Sequence, residues 1–235
     1  MKVKLEKNCL ETSKIDILIP VHNAFSFVKN CVQSILNANT QKLGRIILSD
    51  DCSTDGSLVE YLGDILDDKR IKLLHTEARG YFSGNVNWAS SYIESPYFII
   101  MNSDTKVYSE DWLDVILDEY VRWEAEGEEV GIISPCIAAY ENPYPVSRHL
   151  LGINQIGAVC WFLPFAVWKQ LGGLREDGAY RHWNSDFDFC KKVIEAGYKI
   201  GKVPTYIQHW GGRSGKPKEV PRCLEEGRNV QKMFR

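Results

Sequence analysis

Short apolar runs alternate with amphipathic stretches through the first half of this chain, and that alternation restricts the fold more than any other feature. Ile15–Ile19 is a β-branched run stopped by Pro20, and Arg45–Leu48, Ile71–Leu74 and Tyr97–Met101 are further runs of strand length. Between them, Phe27, Val28, Cys31, Val32 and Ile35 recur at helical spacing. Leu58, Leu62, Ile65 and Leu66 line one face of a second helix, and residues 83–93 make a third. Leu113, Ile116, Leu117 and Tyr120 then give an amphipathic helix, with Glu110 and Asp111 in its first turn, where the macrodipole favours acids. This spacing predicts an α/β fold with a Rossmann-like, mostly parallel central sheet flanked by helices.

The second half departs from the pattern. Gly131–Pro135 reads as a strand, Asn142–Pro145 as a loop, and Gln155–Leu163 as another strand. Pro164–Leu171 reads as a helix with proline at an early position, ended by Gly172-Gly173. Asn184–Ala196 is a helix entered through an Asn-Ser cap and closed by Gly197, and Lys199–Val203 is a last strand.

Composition narrows the function classes. A chain of 235 residues, 44% hydrophobic and 25% charged, suits one large domain with a sizeable core. A net charge of −3 argues against nucleic acid as the main partner. The seven cysteines are odd in number and form no C-x-x-C pair, which argues against a disulfide framework or zinc knuckle and fits a reducing cytosol. No basic and then apolar segment opens the chain, so no secretory signal is expected. Leu150–Trp168 carries no formal charge, yet Gly152, Asn154, Gln155, Gly157 and Pro164 fit a strand, a turn and a helix start better than a membrane span.

In open parallel sheets, ligands bind beyond the carboxyl ends of the strands. The first strand ends in Pro20-Val21-His22-Asn23, the second in Asp50-Asp51 and the Ser/Thr/Asp/Gly cluster to Ser57, and the fourth in Asn102-Ser103-Asp104. These three polar clusters are expected on one edge of the sheet. Paired oxygen-bearing side chains after a strand suit the hard cations Mg2+ and Mn2+ against a diphosphate. The same residue types also serve ordinary strand-end turns, so each cluster alone carries both readings.

Taken in order, these stretches resemble the inverting glycosyltransferase family 2, whose members have the GT-A fold. The resemblance runs from about Ile15 to Ser214. Its matches are the Ile-Pro-Val-His-Asn stretch ending at Asn23, Ser49–Ser57, Arg79–Asn87, Met101–Thr105, Gly172–Leu174, Asp186–Cys190, Ala196–Ile200 and His209–Gly212. The Arg79–Asn87 spacing and the closing His-x-Gly-Gly are most similar to a rhamnosyltransferase-like branch.

The resemblance implies a nucleotide-sugar half over about residues 1–125, a smaller mixed acceptor half over 126–212, and a C-terminal basic helix or tail over 213–235, all in one domain. It places Pro20, His22, Asn23 and Asp51 around the base and ribose, with Asp50 as the adjacent alternative and Arg79 and Asn87 beside the nucleotide. Asn102, Ser103 and Asp104 take the place of an Asp-x-Asp motif, Asp104 being the direct metal ligand and His209 completing the shell of Mn2+ or Mg2+. Asp186 matches the family's general base, with Ser185 standing where a Glu is usual. Asp188, two residues on, points to another helix face and reads as structural.

The implied reaction transfers a sugar from a UDP- or dTDP-sugar to a hydroxyl of a glycan or lipid-linked acceptor, in the cytoplasm. Tyr180, His182, Trp183 and Trp161 read either as an aromatic acceptor surface or as core. The basic stripe from Arg213 to Arg235 reads as a lid on the diphosphate, as a peripheral contact with the inner membrane face, or as a packed helix with a solvated side. A non-catalytic nucleotide- or carbohydrate-binding module is the alternative, favoured by Asn102 and Ser185. A dehydrogenase is excluded, because the first strand is not followed by G-x-G-x-x-G.

Overall fold

The computed structural model describes residues 13–38, 40–138 and 149–211. The loop expected at Asn142–Pro145 and the C-terminal basic segment lie outside them. One curled sheet of nine strands organises the chain: β1 (Ile15–Val21), β2 (Leu43–Asp50), β3 (Ile71–His75), β4 (Tyr97–Met101), β5 (Thr105–Val107), β6 (Val130–Ala138), β7 (Leu150–Leu151), β8 (Cys160–Pro164) and β9 (Lys199–His209). The order is β3-β2-β1-β4-β8-β6-β9-β5, with β7 also on β9. Strands β1 to β4, β6 and β9 run one way, while β5, β7 and β8 oppose them.

Helices α1 (Phe25–Asn37), α2 (Leu58–Leu62), α3 (Tyr81–Ser90), α4 (Trp112–Ala125), α5 (Phe165–Leu171) and α6 (Ser185–Glu195) cover the two faces. One apolar cluster packs α1, α2 and α4 against one face through Val28, Ile35, Trp112 and Ile116. The other packs α3, α5 and α6 against the opposite face through Val86, Trp168 and Phe189. Trp161 is fully buried and stacks on Phe189 at 5.9 Å, so of its two readings it takes the core one.

Several boundaries differ from the sequence expectation. β1 continues through Pro20 to Val21; Pro20 lies past Leu18, the last residue that pairs with β4, so its missing N–H falls where that neighbour has stopped. The second helix breaks at Gly63, whose φ of 53° ends α2 and starts a short 3₁₀ turn over Gly63–Asp67. Glu110 and Asp111 precede α4 rather than filling its first turn, where Asp114 stands. Pro164 is the residue before α5, not within it. Asn184 sits before α6 in the left-handed region, φ 63°, and makes no side-chain cap. The uncharged stretch 150–168 divides into β7, a loop, β8 and the start of α5, and no helix of the described residues is long and apolar enough to cross a membrane.

Asp16 is the polar exception inside β1. Arg45 reaches it at 2.6 Å and Glu94 donates its backbone N–H at 3.2 Å. Burial pushes this carboxyl up, but the Arg45 and Glu94 hydrogen bonds outweigh it and hold the group below the ordinary carboxylate range. This cluster sits at the amino end of β1, the opposite end from the polar loops.

Candidate active site

At the carboxyl ends of β1, β2 and β4 the chain opens a cleft of about 380 Å³. Pro20, His22, Asp51, Arg79, Asn102, Ser103, Asp104, Asp186 and His209 all line it. Residues separated by more than 150 positions therefore share one space, because parallel strands deliver their end loops to one edge.

Asp51 forms the first wall. Its Oδ1 accepts the Gly80 N–H at 2.6 Å and the Thr76 hydroxyl at 3.3 Å, and Arg79 Nε stands 4.0 Å from Oδ2. Burial raises this carboxyl above its ordinary range, only partly offset by the Gly80 and Tyr81 N–H groups and by His22 and Arg79. Gly80 has a steric reason to lack a side chain: a Cβ there would lie 2.9 Å from Asn85 N and 3.1 Å from the Gly84 carbonyl carbon. His22 Nδ1 donates to the Asp51 carbonyl at 2.8 Å.

The second wall comes from strand pairing. β5 lies antiparallel to β9, with Thr105 opposite His209. His209 Nε2 is thereby 3.0 Å from Asp104 Oδ1 and 3.3 Å from the Asn102 amide nitrogen. A ring nitrogen holds either a proton or a lone pair, so Nε2 cannot satisfy both neighbours as they stand. A divalent cation fits this donor set: Asp104 and His209 offer adjacent ligand atoms, and the Asn102 amide, turned over, offers Oδ1. Among the described residues no group of three or more His, Cys, Asp or Glu could hold a metal, so the remaining ligands would be diphosphate oxygens and water. Beneath this turn, Thr105 Oγ1 donates to the Asn102 carbonyl at 2.8 Å and the buried Cys31 thiol lies 3.3 Å from that hydroxyl.

Asp186 stands on the third wall, in the first turn of α6. Its oxygens accept the Phe187 N–H at 3.0 Å and the Ala158 N–H at 3.3 Å. Burial raises this carboxyl above the ordinary carboxylate range, against the pull of those N–H donors. The same Gly157–Val159 strip binds the second wall, because Val159 accepts the Asn102 N–H at 2.9 Å. One tripeptide thus connects the Asn102 turn to Asp186, and nothing in its own sequence signals this.

Three expected nucleotide contacts lie off the cleft. Asn23, φ 60°, spends its backbone N–H on Ser53 at 2.7 Å and its Oδ1 on Thr54 at 2.6 Å. Asp50 accepts from Ser53 Oγ at 2.5 Å and pairs with His75 at 3.1 Å. The Asn87 amide donates to the Leu174 carbonyl at 2.8 Å and accepts from its N–H at 2.9 Å. It thereby pins the Gly172-Gly173-Leu174 turn, where a Cβ on Gly173 would lie 2.5 Å from Asn87 Oδ1. These side chains shape loops. Conversely, Tyr81, Phe82, Asn85, His182, Trp183 and Asn184 line the cleft. Tyr180 is buried instead, beneath the Arg175 guanidinium at 4.1 Å from its ring.

The family model for glycosyl transferase family 2 matches residues 16–155, more than half of the chain. The chain belongs to this family. Glycosyltransferase GlyG of Streptococcus pneumoniae is 29% identical over 117 residues, which cover 48% of this chain and 36% of GlyG. The teichoic acid poly(glycerol phosphate) polymerase of Staphylococcus epidermidis is 29% identical over 100 residues, covering 41% of this chain and 14% of the polymerase. This chain therefore spans about a third or less of the length of these relatives. Among solved structures, GalNAc-T7 with UDP, GalNAc and Mn2+ superposes with a TM-score of 0.72 at 15% identity, over 90% of this chain and 48% of that one. The fold of this family 2 chain is GT-A.

Proposed function

We propose that this chain is a metal-dependent inverting glycosyltransferase that moves a sugar from a UDP- or dTDP-sugar to a hydroxyl. One observation carries the reading: Asp51 after β2, Asp104 after β4 with His209 at the end of β9 3.0 Å away, and Asp186 in the first turn of α6 all line one cleft. GalNAc-T7, which shares the fold, was solved with UDP and Mn2+, and this supports a UDP-type donor and Mn2+ here.

Asp51 and His22 would border the base and ribose, with Arg79 alongside. Asp104 and His209, with Asn102, would hold Mn2+ or Mg2+. Such an ion acts as a Lewis acid on the charge that builds as the diphosphate departs. Asp186 would take the proton of the acceptor hydroxyl. The acceptor oxygen bonds to the anomeric carbon from the face opposite the leaving group. The bond from that carbon to the diphosphate oxygen breaks, and the nucleoside diphosphate leaves with the electron pair. The buried carboxyl of Asp186, with its affinity for a proton raised, matches this role better than a solvated one.

The test is release of UDP or dTDP from a panel of nucleotide sugars with Mn2+, beside a thermal-shift screen of the same donors. Release that needs Mn2+ and Asp186 supports a transferase. Melting shifts from nucleotides without release from any donor would favour a non-catalytic binding module on the same scaffold.

A further inference from the structure

We propose that Asn87 is a positioning residue for Asp186: it locks the Gly172-Gly173-Leu174 turn between α3 and α6, and so fixes the segment that delivers the first turn of α6 to the cleft. This deepens the transferase reading and rests on it.

Leu174 is buried, so its backbone N–H and carbonyl need partners inside the protein. Asn87 supplies both. Its Oδ1 accepts the Leu174 N–H at 2.9 Å, and its Nδ2 donates to the Leu174 carbonyl at 2.8 Å and to Glu176 Oε1 at 2.5 Å. The Leu174 backbone dictates which end of the amide is oxygen, since its N–H only donates and its carbonyl only accepts. The turn is built to admit this side chain: Gly173 has a φ of 69°, and a Cβ there would lie 2.5 Å from Asn87 Oδ1. Ser83, one helical turn before Asn87 on the same face of α3, donates to the Tyr180 carbonyl at 2.7 Å, further along the same segment.

The other side of the turn meets α6. Lys192 Nζ donates to the Gly173 carbonyl at 3.3 Å, so the turn is held both by α3 and by the helix that carries Asp186. Phe189 and Val193 bury the body of α6 in the core. Its first turn has no side-chain cap, and the segment entering it, from Leu174 to Asn184, contains no strand and only a 3₁₀ turn over Gly178–Arg181. Where that first turn sits therefore depends on where the segment is anchored.

The donor wall has its own anchor. Asn85, on another face of α3 from Asn87, donates to the Ser49 carbonyl at 2.8 Å and accepts from the Ser49 hydroxyl. Gly80, about 10 Å along the helix axis from Asn87, donates to Asp51. Loss of the Asn87 clamp is thus expected to leave the nucleotide side in place and to displace the base.

The experiment uses the full chain with Mn2+ and the UDP- or dTDP-sugar that raises the melting temperature most. It follows nucleoside diphosphate release, with water or an alkyl pyranoside supplying the hydroxyl. Asn87→Ala is expected to lower kcat about 10- to 100-fold, the scale of a displaced catalytic group, while the KM and melting shift of the nucleotide sugar stay within about twofold of wild type. General destabilisation would not divide kcat from nucleotide-sugar binding in this way. Asn87→Asp sets a second carboxylate against Glu176 and is expected to lose activity likewise; adding Glu176→Gln, which supplies a hydrogen-bond donor there, is expected to recover kcat at least about threefold. Loss of nucleotide-sugar binding together with kcat, as a nucleotide contact at Asn87 requires, overturns the assignment. So does an unchanged kcat in Asn87→Ala and Asn87→Asp, or a failure of Glu176→Gln to restore any activity. If Asn87→Ala does not fold, the Asn87→Asp pair decides on the same readouts. Wild-type protein with neither a melting shift nor release removes the transferase reading, and this one with it.

Discussion

Replacing Asp186 by asparagine separates chemistry from architecture in this cleft. The substitution keeps the shape of the side chain and removes its capacity to accept a proton. A positioned general base contributes about 10²–10⁴ in rate, or roughly 3–5 kcal/mol of barrier, so kcat is expected to fall by that factor. The fold is expected to be unharmed, for a reason the structure supplies. Burial dominates the upward displacement of the Asp186 carboxyl, so its ionised form is disfavoured where it stands. A neutral amide removes that penalty and can still accept the Phe187 or the Ala158 N–H. The melting temperature at pH 7 is therefore expected to stay level or rise.

The pH dependence has opposite signs for the two properties. As the proposed base, Asp186 would act only when ionised, so wild-type kcat is expected to fall as pH drops through the raised value. Between the ordinary value of 3.8 and that raised value the native state binds more protons at this site than the unfolded chain, so this residue's contribution to stability falls as pH rises through that window. Asp186→Asn removes both effects. The assays are nucleoside diphosphate release against pH, donor thermal shift, and melting temperature of both proteins. A variant that retains kcat within a few-fold, or that melts well below wild type and loses donor binding together with activity, refutes the reasoning and makes Asp186 a structural residue.

Three further outcomes follow from named contacts. His209→Ala or Asp104→Asn is expected to lower kcat by about 10²–10³, from roughly 2.7–4 kcal/mol of lost electrostatic stabilisation, and to raise the Mn2+ concentration needed for half-maximal rate. Equal wild-type rates in Mn2+ and in EDTA contradict that. Gly80→Ala sets a Cβ 2.9 Å from backbone that a flexible side chain cannot yield, so a loss of about 1–3 kcal/mol and weakened donor binding are expected in denaturant titration and thermal shift. Arg45→Met strands the buried Asp16 carboxylate and is expected to remove about 3–5 kcal/mol at neutral pH. Because Asp16 is held below its ordinary range, its stabilisation is present above the unfolded value and lost as pH falls through the folded one, so the gap between Arg45→Met and wild type should narrow on acidification.

The parallel half of the fold was legible because its signal is local. The Tyr97–Met101 run is fully buried and flanked by turn residues, and it became a strand with those bounds. The pairing of β5 with β9 was not legible. β5 is three residues long and carries no periodicity of its own, and β9 overruns its expected end at Val203 by six residues to reach His209. Local propensity cannot announce such a pairing, since its stabilisation comes from a partner about a hundred positions away. It is nevertheless the pairing that brings His209 against Asp104.

The same distinction explains the polar motifs. Asn23, Asp50 and Asn87 belong to the stretches that match the family, yet their side chains are spent on Ser53, Thr54, His75 and Leu174. A motif records which residue type a position requires, not whether ligand or loop requires it. Asp51 and Asp50 are chemically alike and adjacent, but consecutive residues at a strand end point to opposite sides. Asp51 therefore faces the cleft beside Arg79, while Asp50 turns toward Ser53 and His75. The resemblance names Asp51 first and Asp50 as the adjacent alternative, and of the two it is Asp51 that lines the cleft.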